Sequence, residues 1–238
     1  MKKLPSFTGF YEDTFRFLSD LKENNSVDWF HKNKFRYQTF LVEPAKAFVN
    51  ELGPFFNQLN PEIRTEPKFN KTLMRINKDM RFAKGNPYRT YFLIHFGRFK
   101  MDSEFFVYFA PDEIQIGVFL NNTKGDSLFL KNNLLKFKSN ISDVFDDYEI
   151  NKNYDFYTLQ KEPTLVKRKF SASTDFLLLG NNKHILLQKA KLPRKTKIFS
   201  ADFIPETIKI VLQLYPLYCF AISSDPLKLL YEFQDTFG

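Results

Sequence analysis

Polar and apolar positions along the chain change period twice. Residues 12–24, EDTFRFLSDLKEN, place Phe15, Leu18 and Leu21 on one helical face behind an acidic first turn, with Phe17 beside them. This spacing predicts an amphipathic helix ended by Asn24-Asn25. Ser26 or Asp28 can cap a second helix beginning at Trp29-Phe30. Tyr37, Leu41, Ala45, Phe48 and Leu52 continue it to Gly53-Pro54, and Pro44 is expected to kink it or to begin a new helix. The period then shortens. Residues 72–76 read as a short strand, and the runs at 91–99, 104–110 and 113–120 as three more, with links of hairpin length between the last three. Strands 92–96 and 105–109 are apolar on both faces, so helices should cover part of the sheet. Beyond residue 120 the pattern reads as helical again, over 123–141, 174–192 and 201–222.

The expected fold class is therefore α+β. An antiparallel meander sheet, with strands near 72–76, 91–99, 104–110 and 113–120, is covered by N-terminal and C-terminal helices in a single domain spanning residues 1–238.

Composition adds that the core should be aromatic, because 30 of the 238 residues are phenylalanine. Glycine numbers 8, which disfavours long glycine-rich phosphate loops. Cys219 is the one cysteine, so neither a disulfide framework nor a cysteine metal cluster is expected, and its apolar surroundings suit a buried thiol. No stretch approaches about 18 uninterrupted apolar residues, and the first residues lack an apolar leader core. A cytoplasmic protein with no membrane partner is expected. The net charge of +8 favours acidic partners, an anionic small molecule or nucleic acid, or else serves solubility.

Most catalytic signatures are absent. No phosphate-binding GxxxxGK[ST], dinucleotide GxGxxG or GxSxG pattern occurs. His31, His95 and His184 stand far apart, without metal-ligand spacing, so no metal and no cofactor is expected. His95 is either a hydrogen-bonded sheet histidine or a proton carrier.

The segment that stands out is RINKDMRFAKGNPYR, residues 75–89. Between Arg75 and Arg98, six Lys/Arg residues accompany one carboxylate, Asp79. If 72–76 is a strand, Arg75 shares a face with Leu73 and needs a partner. Asp79 is the nearest in sequence, and Arg81 could share it. Gly85-Asn86-Pro87 reads as a turn, with Gly85 or Asn86 at positive φ, returning Tyr88 and Arg89 toward Arg81. A carboxylate among arginines should titrate low and serve poorly as a proton carrier near neutrality. A second basic cluster, Lys189, Lys191, Arg194, Lys195 and Lys197, reads as a solvated face or as a phosphate-backbone contact, and Lys167-Arg168-Lys169 has the same two readings.

These residues carry a resemblance. FLSDLKENNSVDWFHKNKFRYQTFLVEPAKAFVNEL is similar to the N-terminal signature of the bacterial and fungal family known as domain of unknown function 2461, through Asn24-Asn25, Trp29-Phe30, Tyr37 and Pro44. RINKDMRF followed by PYR resembles that family's motif Arg-Ile-x-Arg-Asp-x-Arg-Phe then Pro-Tyr-Lys, at Arg75, Ile76, Asp79, Arg81, Phe82, Pro87 and Tyr88. Lys78 and Arg89 exchange the usual basic residue, and the loop from 82 to 87 is one residue shorter. The resemblance implies a compact α+β domain and no particular activity.

The residues support three readings. In the leading one Arg75, Lys78, Arg81 and Arg89, with Tyr88, bind an anionic, phosphate-bearing ligand, and Asp79 orients the arginines. Trp29 and Phe30 then wedge the second helix onto the core. In the second the protein is an enzyme on a phosphorylated or nucleic-acid substrate, with Asp79 or His95 as acid–base. In the third the Arg–Asp network is structural and the function lies with a protein partner.

Overall fold

The computed structural model describes residues 5–82, 84–192 and 194–238. Helix α1 spans Glu12–Glu23 and buries Thr14, Phe17, Leu18 and Leu21. Helix α2, Val27–Tyr37, starts where the Ser26 hydroxyl accepts the Trp29 N–H. It continues through a π-helical turn, Gln38–Val42, into α3, Glu43–Leu59. Pro44 explains the turn. It has no N–H to offer, and its ring displaces the carbonyl four residues back, that of Phe40. That carbonyl instead accepts the hydroxyl of buried Thr14 at 2.5 Å. The Glu43 N–H reaches back five residues to the Gln38 carbonyl. Pro44 stands in the first turn of α3, the second of its two expected roles, and α3 begins directly after the π-helical turn. Helix α3 also runs past Gly53-Pro54, because Phe56 and Leu59 extend the buried stripe one more turn, and Phe56 stacks on Phe96 at 4.1 Å.

Strands β1 (Phe92–Phe96), β2 (Glu104–Ala110) and β3 (Glu113–Asn121) follow as expected. Residues 72–76 pair with β1 through a single bridge, Leu73 to Ile94, and through the Met74 N–H on Leu93 and the His95 N–H on Thr72. They do not form a continuous strand, because the backbone beyond Met74 bonds to residues 87–89 instead: Arg89 N–H to Ile76 O, and Lys78 N–H to Pro87 O.

The second half departs from the helical reading. Helices α4 (Leu130–Lys136) and α5 (Lys138–Asp147) precede two strands, β4 (Tyr154–Leu159) and β5 (Pro163–Lys167). Residues 174–192 are not one helix. Two short helical turns, α6 (Ala172–Asp175) and α7 (Leu177–Asn181), lead into strand β6, His184–Lys189. The run Ile185-Leu186-Leu187-Gln188 is buried throughout, so it shows no alternation. A short turn α8 (Lys195–Ile198), a long α9 (Phe203–Ile222) and α10 (Pro226–Phe237) complete the chain. The six strands form an antiparallel sheet in the order β1-β2-β3-β6-β4-β5. At Gly117 a Cβ would lie 1.9 Å from the Leu187 carbonyl, so the β3–β6 pairing requires glycine there.

Contacts gather the chain into two compact units, each built from three stretches. The first comprises Met1–Phe96, Phe106–Gln115 and Pro193–Ile208. Its core is aromatic, as the composition suggests: Phe10 lies 4.5 Å from Phe109, and Phe48 stacks on Phe203 at 5.3 Å. The second comprises Gly97–Phe105, Ile116–Leu192 and Lys209–Gly238. There Phe105 packs on Tyr218 at 4.8 Å and Tyr215 on Phe233 at 5.1 Å. Among the described residues no helix is long and apolar enough to cross a membrane.

Candidate functional site

Within the first unit, residues 75–89 form a closed loop. Asn77 bridges to Tyr88, and Gly85 takes the positive φ of the turn, at 83°. The Arg89 guanidinium donates to the carbonyls of Arg75 and Asn77, at 3.1 and 2.9 Å, and ties the base of the loop. The loop is fastened to the start of α2 by Asn25. Its Oδ1 accepts the Tyr88 N–H and its Nδ2 donates to the Tyr88 carbonyl, both at 3.0 Å. The Tyr88 ring stacks on Phe30 with centroids 4.3 Å apart.

This fastening creates a cavity of about 260 Å³. Helix α2 contributes Phe30, His31, Lys34 and Tyr37 along one face, and Gln38 follows at the first position of the π-helical turn. The opposite wall is Phe69, Arg75, Asn77 and Tyr88. No carboxylate lines it. The Arg75 guanidinium lies over the Phe69 ring at 5.3 Å and has no ion pair among the described residues. Burial pushes the Tyr37 phenol above its ordinary range, against the pull of the Arg75 charge, and burial likewise raises Tyr88. Both phenols therefore remain protonated at neutral pH.

The expected roles of the charged residues divide. Asp79 does not order Arg75. It binds Arg81 through two guanidinium contacts, at 2.9 and 2.7 Å, and through the Arg81 N–H, and both residues are exposed. The side-chain bonds from Arg81 hold the Asp79 carboxyl below the usual carboxylate value. Asp79 and Arg81 lie outside the cavity lining, as do Lys78, Arg89 and His95. Of the six residues expected to bind ligand, the structure brings Arg75 and Tyr88 to the cavity. Phe30 does more than wedge α2 onto the core, because it supports Tyr88 and lines the cavity, while Trp29 packs against Phe17.

Sequence reasoning missed His31, Lys34, Tyr37, Gln38, Phe69 and Asn77 as lining residues. The available signal was spacing: residues 30, 34 and 37 recur on one helical face, so Lys34 interrupts an aromatic stripe.

The quoted motifs thus meet at one place, Asn25, Phe30 and Tyr37 from the first and Arg75 and Tyr88 from the second. Residues 13–220 match the model of a family described as conserved hypothetical protein (DUF2461). The chain belongs to this family. No curated protein matches it. Both stretches that resemble the DUF2461 signatures fall wholly within the matched region, and the Asn25–Tyr88 clasp joins them.

The other basic clusters of this DUF2461 protein are partly engaged. Lys167 pairs with Asp175 at 3.2 Å and Arg168 with Asp155 at 3.7 Å. Lys189 donates to Gln213 at 2.9 Å and lies over the Tyr154 ring. Lys197 is hydrogen-bonded to Glu206. Lys191, Arg194 and Lys195 are exposed. Among the described residues no group of three or more His, Cys, Asp or Glu is placed to hold a metal ion.

Proposed function

We propose that the protein is a binding module for an anionic, phosphate-bearing small molecule, held in the cavity between α2 and the 69–88 segment. One observation carries the reading. Arg81 gives two donors to Asp79 and Arg89 two to backbone carbonyls, and neither lines the cavity, whereas Arg75 lines it, with no carboxylate among the described lining residues, and has no ion pair among the described residues. A guanidinium in that position offers its fork to a phosphate oxygen pair. Lys34 and His31 add donors, and Asn25 fixes the wall that carries Tyr88. Lys78, Arg81 and Arg89 then contribute to the positive field around the site rather than touching the ligand.

The test is isothermal titration calorimetry with inorganic phosphate on the wild type, Arg75→Gln and Arg81→Ala. The wild type and Arg81→Ala should bind alike, and Arg75→Gln should weaken binding by about tenfold or more, the scale of a charge-assisted hydrogen bond. Absence of heat with the wild type, or equal binding by Arg75→Gln, sinks the reading.

A further inference from the structure

Resting on that reading, we infer that the cavity takes the terminal phosphate of a small phosphomonoester, grasped by two phenol hydroxyls as well as by cations, and that it discriminates against a phosphodiester and against a carboxylate. The ring faces are already engaged. Phe30 and Tyr88 stack on each other, Phe69 carries the Arg75 guanidinium, and Tyr37 packs against Phe30 at 5.3 Å and Phe17 at 5.8 Å. Each ring has an aromatic or guanidinium neighbour, so the aromatic wall is scaffolding more than a platform for stacking a base.

What remains unsatisfied is polar. Tyr37 is 5% exposed and Tyr88 4% exposed, yet neither hydroxyl has a hydrogen-bond partner among the described residues. Neither oxygen is among the sealed-off polar atoms of the interior, which are Asn122 Oδ1 and Tyr218 Oη. Both oxygens are therefore reached by solvent, on residues that line the cavity. Water can reach both hydroxyls, and neither is committed to a protein acceptor among the described residues, so each can donate to a ligand oxygen. Arg75 lies close enough to Tyr37 for its charge to act on the phenol.

The count of donors selects the anion. Tyr37, Tyr88, Arg75 and Lys34 all line one small space, so two phenol O–H groups, a guanidinium and an ammonium are available to one ligand. A carboxylate offers two oxygens and a diester two unbridged ones, while a phosphomonoester offers three terminal oxygens and up to two charges. A diester must also continue in two directions, which a cavity of about 260 Å³ accommodates poorly. The ligand is thus a small phosphorylated metabolite rather than a nucleic-acid backbone.

The experiment is calorimetry at fixed ionic strength with ribose 5-phosphate, dimethyl phosphate and acetate, on wild type, Tyr37→Phe, Tyr88→Phe and Arg75→Gln. Ribose 5-phosphate should bind wild type at least about tenfold more tightly than the other two. Each Tyr→Phe change keeps the ring and should weaken the monoester by about tenfold, with the far-ultraviolet dichroism unchanged. Dimethyl phosphate or acetate binding as tightly as the monoester, or both Tyr→Phe variants retaining wild-type affinity, overturns the inference. If Arg75→Gln still loses binding in that case, the anion-binding reading survives it. No binding of any probe to wild type removes both.

Discussion

Two arginines of this protein, Arg98 and Arg75, show opposite uses of the same side chain. Arg98 lies in the second unit and is saturated. It meets Asp102 in a bidentate pair, at 2.8 and 3.0 Å, and donates to the carbonyls of Ile222 and Ser127. The side chain of Arg98 is 9% exposed and that of Asp102 is fully buried. Arg75, in the first unit, rests on a phenylalanine ring beside a cavity and has no carboxylate partner among the described residues. A guanidinium given a buried carboxylate and two carbonyls is a clamp, with little left to offer a ligand. One given only an aromatic support keeps its donors.

The contrast can be broken most forcefully at the clamp. Asp102→Ala strands a buried guanidinium, and urea denaturation should show a loss of roughly 3–5 kcal/mol. The wild-type affinity for phosphate should persist in the fraction that remains folded. Next in size is Asn25→Ala, which leaves the Tyr88 N–H and carbonyl without their side-chain partner. It should cost about 1–3 kcal/mol in the same assay and weaken phosphate binding as well, since the cavity wall loosens. Arg75→Gln sharpens the comparison by reversing it. Its unfolding free energy should stay within about 0.5 kcal/mol of wild type while phosphate binding is lost. The smallest effect belongs to the exposed pair. Asp79 titrates below its ordinary 3.8, so its bond to Arg81 adds stability above that pH and loses it as pH falls through the lower folded value. Because the pair is screened by solvent, Asp79→Asn should follow the wild-type denaturation curve from pH 7 down to about pH 4. A clear divergence there would make the pair a structural element after all.

Alkaline pH gives a further comparison. The buried phenols of Tyr37, Tyr154 and Tyr218 are all raised from 10.0 by burial. Unfolded phenols ionise first, so stability should be full below pH 10 and decline as pH rises beyond it. Denaturation at pH 9 and pH 11 measures the slope, and Tyr154→Phe should flatten it.

Helices α1 and α2 and strands β1 to β3 were legible because each buries one face, or is short and bounded by turns, and so shows its period. Strands β4, β5 and β6 were not. Strand β6 lies between β3 and β4 with Ile185 to Gln188 buried, which erases alternation, and β5 is exposed along its whole length, which leaves no apolar pattern. The site was half legible for a related reason. Charge density drew attention to residues 75–89, and Arg75 and Tyr88 do line the cavity. Sequence adjacency then assigned Asp79 to too many arginines, because a carboxylate two residues from Arg81 meets that neighbour and no other guanidinium. Spacing places Lys34 on the face of Phe30 and Tyr37, but which wall that face meets depends on the Asn25 clasp, a contact 63 residues long in sequence.

The π-helical turn at Gln38–Val42 has a consequence for phasing. A π turn holds one residue more than the α-helical ladder around it. Since each helical residue turns the chain by about 100°, this extra residue sets the angle between the buried stripe of α3 and the face of α2 that carries Lys34 and Tyr37. Deleting one residue between 38 and 42 would leave every side chain of both helices in place by name, yet swing α2 by about that angle against α3. The cations would then leave the cavity while the helix stayed whole. The face that α2 turns to the cavity is thus specified by a count of residues as much as by their identity.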